Sequence, residues 1–250
     1  MAIVTLRELL DAGVHYGHRT SRRNPKMDRF IFGKRNSIHI VDLRETIRGL
    51  IKATRFLYRI AEEGQQVLLV GTKRQAAAVI EECAGRTQTP YVSNRWLGGT
   101  LTNFKTIRSR LSRLEELEAL ESSGEMDKLS KKEISALQRE KRKIKSNLEG
   151  IRKMTRLPGA LVIIDPKREK NAVFEANKLG IPVICLVDTD SDPTTADIAI
   201  PGNDDAIRSI QLVTTKLTDS YVAGRSSYMQ GVEAKPEPGA AEFSGEAVAE

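Results

Sequence analysis

The sequence predicts an α/β fold in which helices flank a parallel β-sheet and an antiparallel helical hairpin is inserted. Two observations predict this fold. Short apolar runs each end in a turn and lead into a segment of helical periodicity, which is typical of a parallel sheet with helical crossovers. The alternation is interrupted once, between Lys105 and Arg156, where charge density rises and apolar residues thin to a seam. The interruption therefore reads as an insertion into the α/β domain.

Six apolar runs are candidate strands. Their β-branched residues and continuous apolar character predict strands that are covered on both faces. They span Ile38 to Leu43, Val67 to Val70, Tyr91 to Val92, Leu161 to Ile164, Val183 to Val187 and Ile198 to Ile200. Cys185 falls within such a strand and Cys83 within a helix, with no C-x-x-C spacing, so both are expected to be reduced core residues.

Four helices are predicted between or after these strands. Each shows apolar residues at helical spacing, and glycine follows two of them. They span Glu45 to Glu63, Arg74 to Ala84, Glu169 to Leu179 and Asp205 to Ala223. Gly64 and Gly180 are the expected terminators.

The insertion carries a coiled-coil pattern over about three heptads. In its second half, the apolar residues recur at steps of three and four, and Lys141 takes the one vacant seam position. These residues are Ile134, Leu137, Ile144, Leu148 and Ile151. Ile107, Leu111 and Leu114 begin a matching seam, and Ser130 with Glu133 has capping-box spacing. An antiparallel hairpin of roughly 30 Å follows from the rise per residue. Two amphipathic helices lying flat on the domain are the alternative.

Charge is concentrated in two segments. The chain of 250 residues has a net charge of +7. Residues 1–40 carry eight basic and three acidic side chains, and residues 105–156 carry fifteen and nine. Clustered positive charge favours a polyanionic partner. No apolar run of about 18 residues exists and the N-terminus lacks the pattern of a signal peptide, so a cytoplasmic protein is expected.

These features divide the chain into five parts. They are a basic N-terminal arm with the start of the domain (1–35), the first part of the α/β domain (36–104), the hairpin (105–156), the second part of the domain (157–227) and an acidic tail (228–250). The tail has few apolar residues and carries like charges, so we expect it to be disordered.

The loop RWLGGTLTNF, Arg95 to Phe104, holds the only tryptophan and a glycine pair beside the basic insertion. Gly98 and Gly99 would allow backbone amides to approach a phosphate, while Arg95 and Trp96 offer a cation and a stacking plane. The alternative is a tight turn with Trp96 in the core. The loop contains no nucleophile paired with a base, so we interpret it as a binding element.

The carboxyl ends of the predicted strands are candidate ligand sites, because open α/β sheets bind ligands there. The turn GTKRQ lacks both glycine-rich phosphate-binding spacings, yet Thr72, Lys73 and Arg74 could hold a phosphate at the helix start. His15 and His18 have a spacing that permits a zinc pair, although Gly17 between them disfavours a rigid helix and no third ligand is close in sequence. A histidine pair that faces RNA or is hydrogen-bonded is the favoured alternative.

Aspartates follow two successive strands and could converge at one edge of the sheet. Asp188 follows one strand and Asp204 the next. Their oxygens would suit a structural magnesium ion, whereas turn formation and helix capping by Asp204 are the simpler explanation. No base or nucleophile completes a hydrolytic site, so no catalytic residue is predicted.

Several segments together resemble the bacterial small-subunit ribosomal protein two family. They are AGVHYGH (12–18), NPKMDRFIFGKRNSIHIVDL (24–43), VGTKRQA (70–76), RWLGGTLTNFKT (95–106), IIDPKREKNAVFEANKLGIPVICLVDTDSDP (163–193) and IPGNDDAIRSI (200–210). The resemblance covers the chain from about Thr5 to Arg225. Family members commonly show an aromatic residue before NPKM, where this chain has Arg23.

The resemblance implies a flavodoxin-like three-layer α/β/α domain with a protruding coiled-coil hairpin. It implies a place in the cytoplasmic small subunit between head and body, contacts with small-subunit rRNA and with other small-subunit proteins, and a role in holding ribosomal protein one, which recruits mRNA. It implies no catalysis, and neither a membrane nor DNA is an expected partner.

Combining this with the basic segments gives a set of candidate RNA-binding residues. They are Arg22, Arg23, Lys26, Arg35, Lys73, Arg74, Arg95, Trp96, Gly98, Gly99, Lys105, Arg108, Lys141, Arg142 and Lys145. Two other classes of protein remain open. One is a flavodoxin-like domain that binds a phosphosugar or nucleotide near Thr72 and Asp188, and the other is a coiled-coil scaffold without RNA.

Overall fold

A five-stranded parallel sheet forms the centre of the molecule. Residues 4–124 and 129–233 are described by the structure, which is a computed structural model. Its strands are β4 (Val67–Val70), β5 (Tyr91–Val92), β6 (Ala160–Ile164), β7 (Val183–Val187) and β8 (Ile198–Pro201). They lie in the order β5-β4-β6-β7-β8 across the sheet. The five predicted strands from Val67 onward are therefore confirmed as members of one parallel sheet.

Seven α-helices surround this sheet or project from it within the described residues. They are α1 (Leu6–Asp11), α2 (Leu43–Glu62), α3 (Arg74–Thr87), α4 (Phe104–Ser122), α5 (Lys131–Leu148), α6 (Lys170–Lys178) and α7 (Ile207–Glu233). Asp42 caps α2, because its side chain accepts a hydrogen bond from the Arg44 amide. No helix in the described part of the chain is long and apolar enough to cross a membrane.

Side chains of the sheet alternate between two apolar layers. Val67 and Leu69 pack with helices α2, α3 and α7, whereas Leu68 and Val70 pack with α6 and the inner ends of α4 and α5. This is the two-residue period of a strand, with both faces buried. The arrangement explains the continuous apolar runs and agrees with a flavodoxin-like three-layer domain.

One predicted strand lies elsewhere. The run beginning at Ile38 was predicted as part of the parallel sheet, and that prediction was wrong. It forms β3 (Ile38–Val41), the middle strand of a small antiparallel sheet with β1 (Tyr16–Arg19) and β2 (Ile31–Arg35). A two-residue turn at Asn36 and Ser37, both at positive φ, joins β2 to β3.

The charged insertion forms the two helices α4 and α5, which contact each other. Ser130 and Glu133 form the expected capping box at the start of α5. Residues 125–128 between the helices lie outside the described part. The coiled-coil geometry of the pair stays a prediction.

Helix α7 runs ten residues further than the predicted end at Ala223. Its C-terminal part packs against the C-terminal end of α2, where the Tyr58 hydroxyl lies 2.9 Å from the Ser227 hydroxyl and the Tyr228 ring lies against Gly64. The helix includes 228–233, which the sequence assigned to the tail. The predicted disorder of 234–250 concerns residues outside the described part.

Candidate nucleic-acid interface

The loop Arg95 to Phe104 is organised by one carboxylate, that of Glu175 on α6. Trp96 is 7% exposed, and its indole nitrogen donates to Glu175 Oε1 over 3.1 Å. The backbone amides of Gly99, Leu101 and Thr102 donate to the same carboxylate over 2.8 to 3.1 Å. Of the two glycines that the sequence suggested for a phosphate, Gly99 thus has its amide committed within the protein. Trp96 is a packing group, as the alternative interpretation held.

The pKa of Glu175 reflects this arrangement. Burial of the carboxylate opposes its ionisation, but the donors of Thr102, Trp96, Gly99 and Leu101 outweigh burial and lower its pKa. Sequence reasoning missed Glu175 because it lies more than 70 residues from the loop, within an ordinary amphipathic helix. Arg95 and Gly98 remain exposed on the outer side of the loop.

The loop is joined to the inner end of the hairpin. The Asn94 side chain donates to the Ser146 carbonyl of α5 over 2.6 Å. Arg108 on α4 donates to the Met154 carbonyl over 3.2 Å, so this predicted RNA contact is partly engaged within the protein. Exposed Arg95 follows Asn94 directly in the chain and exposed Lys105 lies in the first turn of α4. The loop and the hairpin therefore form one continuous basic region.

Helices α4 and α5 each bury or half-bury apolar residues at the predicted seam positions. On α4, Ile107, Leu111 and Leu114 are buried, and on α5 the predicted seam residues are half-buried or buried. Ion pairs flank the seam. Lys141 contacts Glu121, and Arg152 Nη2 lies 2.7 Å from Glu118 Oε2. Lys141 therefore turns toward α4, whereas Arg142 and Lys145 are exposed.

The N-terminal arm packs on the domain. The Asn24 amide donates to the Thr189 carbonyl over 2.9 Å, and Met27 is fully buried. Lys26 Nζ lies 2.6 Å from Asp192 Oδ2, and this contact lowers the pKa of Asp192 to about 2.

The four predicted RNA contacts of this arm are all exposed but differ in their pairing. Arg23 Nε lies 3.3 Å from Asp28 Oδ1, and Lys26 is paired as described. Arg22 and Arg35 form no ion pair within the described residues. These two side chains are therefore the ones available to an external anion.

The carboxyl edge of the parallel sheet is filled by the protein itself. Gly17 of β1 lies against Thr189, which follows β7, and a Cβ at Gly17 would lie 2.6 Å from the Thr189 methyl carbon. The His18 amide donates to the Thr189 hydroxyl over 2.9 Å. At the neighbouring turn, the Thr72 amide donates to Glu169 over 3.0 Å, where a phosphate oxygen was expected. A carboxylate thus occupies the predicted anion position.

Charged side chains converge beside this filled crevice. His18 Nδ1 lies 2.8 Å from Asp188 Oδ2, and Lys73 Nζ lies 2.6 Å from one oxygen each of Asp204 and Asp205. The predicted convergence of the two acidic clusters is confirmed, since Asp188 follows β7 and Asp204 follows its neighbour β8. Asn203, and not Asp204, accepts the amides at the start of α7.

Mutual contacts shift the protonation of this cluster. The contact with Asp188 raises the pKa of His18 to about 9. Burial, with the neighbouring Asp165 and Asp188 carboxylates, raises the pKa of Asp204 to about 7. Burial opposes the charge of Lys73, but its carboxylate partners outweigh burial and raise its pKa.

The cluster also bears on the two predicted metal sites. Ligand atoms of His18, Asp188, Asp204 and Asp205 lie within 4.8 Å of one another, a donor set that could hold a divalent cation. His15 is not part of this set, and burial lowers its pKa. The cation stays a prediction. Lys73 sits among the same carboxylates and is only 9% exposed, so its charge is used inside the protein, whereas Arg74 is exposed.

These observations define the class of the protein. It is an α/β protein in which residues of the chain occupy the carboxyl edge of the sheet, and it exposes basic side chains on a surface loop, an N-terminal arm and a pair of helices.

Comparison with known proteins agrees with this class. The family model described as ribosomal protein S2 matches residues 9–224. The chain is 53% identical over 225 residues to small ribosomal subunit protein uS2 of Rhodopirellula baltica, covering 90% of this chain and 86% of that protein. It is 53% identical over 222 residues to the uS2 protein of Borreliella burgdorferi, covering 89% and 85%, and 52% identical to that of Borreliella afzelii. The chain belongs to the ribosomal protein S2 family.

Proposed function

We propose that this protein is a structural constituent of the small ribosomal subunit in the cytoplasm. It binds small-subunit rRNA between head and body and helps to hold ribosomal protein one, which recruits mRNA. The observation that supports rRNA binding most is the set of exposed basic side chains on three elements, in a chain of this family. The contact with ribosomal protein one is supported by the family resemblance.

The mechanism of binding is electrostatic. Exposed Lys and Arg side chains neutralise phosphates and release counterions, which supplies affinity with little reading of bases. Folded RNA buries its base edges in a deep major groove, so recognition depends on the shape of the backbone. Elements that are anchored to the sheet, such as the Trp96 loop on Glu175, hold their cations in a fixed geometry.

The twelve basic residues among the predicted contacts separate into two groups under this proposal. Those that are exposed and form no ion pair in the described part of the chain carry the binding. They are Arg22, Arg35, Arg74, Arg95, Lys105, Arg142 and Lys145. Lys73, Lys141, Arg108, Arg23 and Lys26 are engaged within the protein and contribute less.

A catalytic or small-ligand role has weaker support. The crevice at the carboxyl ends of the strands is where such a domain binds its ligand, and Gly17, His18 and Glu169 occupy that place here. The family is one of structural proteins, so the proposal assigns no reaction to this chain.

The experiment that tests the proposal is sedimentation of the tagged full chain in a lysate gradient, with and without ribonuclease, at a magnesium concentration that keeps subunits intact. Co-migration with small subunits that is lost after ribonuclease is the expected result. Migration as a free monomer or small oligomer in both gradients would overturn it. The Arg95→Ala variant then tests whether the loop contributes to incorporation. Its control is Arg59→Ala, which removes an exposed cation from α2.

A further inference from the structure

The two helices of the hairpin differ in net charge. Helix α4 has four basic and four acidic residues and is neutral. Helix α5 has seven basic and two acidic residues. The acids of α4 all lie in its outer half, at Glu115, Glu116, Glu118 and Glu121. The positive charge of the hairpin is therefore not spread around it.

Six of the seven cations of α5 are exposed and share one side of the helix. On an ideal helix, five of them lie on the side opposite the seam residues Leu137 and Ile144, and Lys145 lies at the edge of that side. We call them the α5 basic face: Lys131, Lys132, Arg139, Arg142, Lys143 and Lys145. Ser135 and Ala136 are the small exposed residues within it. The face extends about 21 Å along the helix.

No residue of the α5 basic face forms an ion pair within 4–124 and 129–233. The two acids of α5 are directed elsewhere. Glu133 accepts hydrogen bonds from Ser130 at the cap, and Glu140 lies 3.7 Å from Arg113 of α4. Lys141, the one cation outside the face, contacts Glu121 of α4. Among the described residues, the cations of this face are therefore exposed and unpaired.

We propose that the α5 basic face is the side of the hairpin that lies against RNA, and that the outer half of α4 faces away from it. This inference rests on the proposed function and assigns its orientation. The partner is a phosphate backbone, because a helix face with six cations and no acid complements a line of anions. The outer half of α4, after Arg113, has no basic residue, and its acids already pair with Arg113, Lys141 and Arg152, so it offers no cation to that backbone. The Asn94 contact with Ser146 brings exposed Arg95 to the inner end of the same helix.

A tethered cleavage reagent tests this orientation. Both native cysteines are buried, so one introduced surface cysteine can be labelled selectively with an iron chelate that generates hydroxyl radicals. Ser135→Cys places the label within the α5 basic face, and Ala119→Cys places a matched label on the exposed outer half of α4. Both full-length variants are incorporated into small subunits before cleavage is started.

We expect strong rRNA cleavage from position 135 and at least about fivefold less from position 119, because the second label faces away from the backbone. Equal cleavage from both positions, stronger cleavage from 119, or none from either in assembled subunits would overturn the orientation. Failure of the unsubstituted chain to co-sediment with small subunits would instead overturn the proposed function, so the two failures are distinguishable.

Charge neutralisation gives a second measurement. The triple variant Arg139→Gln, Arg142→Gln and Lys143→Gln is expected to compete with the unsubstituted chain for incorporation roughly tenfold or more less well. The matched control Arg44→Gln, Lys52→Gln and Arg55→Gln removes the same charge from exposed positions of α2 and should stay within about twofold. Equal losses would contradict the inference. Reduced incorporation without cleavage from 135 would assign the face to an acidic protein and overturn it as well.

Discussion

The carboxyl edge of the sheet and helix α5 are both rich in charge, yet they use it in opposite ways. At the sheet edge, His18 is paired with buried Asp188, and Lys73 is paired with buried Asp204 and exposed Asp205. On α5, Arg139, Arg142 and Lys143 are exposed and form no ion pair in the described part of the chain. The difference teaches that the count of basic residues does not identify an RNA surface. Pairing and burial decide which cations are available to a partner.

Replacing one cation in each region tests most directly whether the two regions differ in this way. Lys73→Met should lower the free energy of unfolding by about 3–5 kcal/mol, because it leaves buried Asp204 without its counterion. Lys143→Met on the exposed face of α5 should change it by no more than about 0.5 kcal/mol. Urea denaturation of both variants measures this, and similar losses would show that the two regions do not differ as described.

The Trp96 loop offers a second test, because its anchor is internal while its cation is external. Glu175→Gln should lower the free energy of unfolding by about 2–4 kcal/mol, since an amide cannot accept from all the donors that the carboxylate satisfies. Trp96 is the only tryptophan, so its fluorescence reports the loop directly. The exposed Glu62→Gln is the control. An unchanged emission spectrum and unfolding midpoint in Glu175→Gln would exclude the carboxylate as anchor.

Proton linkage sharpens the account of the sheet edge. The pKa of His18 rises from its ordinary value of 6.5 to about 9 on folding, so its contribution is complete below pH 6.5 and is lost as pH rises through 9. The expected loss over this range is roughly 1–3 kcal/mol. The raised pKa of Asp204 acts in the same direction through about pH 7.

Substitution of each histidine tests whether His18 causes this pH dependence. His18→Gln should flatten the decline of the free energy of unfolding between pH 7 and 9, whereas His15→Gln should preserve it, because a histidine with a lowered pKa is neutral in this range. Unfolding midpoints measured across this interval test the assignment. A decline that is unchanged in His18→Gln would refute it.

The smallest predicted effect is local to the hairpin. Ser130→Ala removes the side chain that caps α5 and should cost about 1 kcal/mol. Because the first turn of α5 is far from the core, hydrogen exchange should accelerate there and remain unchanged in β6. Ser135→Ala, at an exposed position outside the cap, is the control. Faster exchange across the whole domain would mean that the hairpin is not an independent element.

Sequence patterns predicted the parallel sheet well because its strands are buried on both faces. The antiparallel sheet was harder to predict. Strands β1 and β2 are half-exposed and short, and the turn between β2 and β3 uses Asn36 and Ser37, where Asn-Gly is the strong signal. Their identity therefore depends on packing against β3, which no local pattern encodes.

The candidate site was only partly predictable, because local sequence patterns do not encode contacts between elements. Composition located the basic segments, but it could not show that Lys73 and Lys141 contact carboxylates from distant or neighbouring elements. Nor could it show that Glu175 accepts the amides of the Trp96 loop. Each of these contacts joins residues from different elements and depends on the fold. Residue type alone therefore does not show which cations and amides are free to bind RNA.

The most direct test of the central claim, that exposed unpaired cations bind rRNA, is the affinity of the full chain for small-subunit rRNA as a function of salt. With six to ten phosphate contacts, the affinity should fall by about a thousandfold or more between roughly 50 and 200 mM salt. The slope of log affinity against log salt concentration should become shallower in the double variant Arg22→Gln and Arg35→Gln. It should change little in Lys73→Gln, measured under conditions where that variant is folded. Binding that is insensitive to salt, or equally weakened by both, would contradict the account.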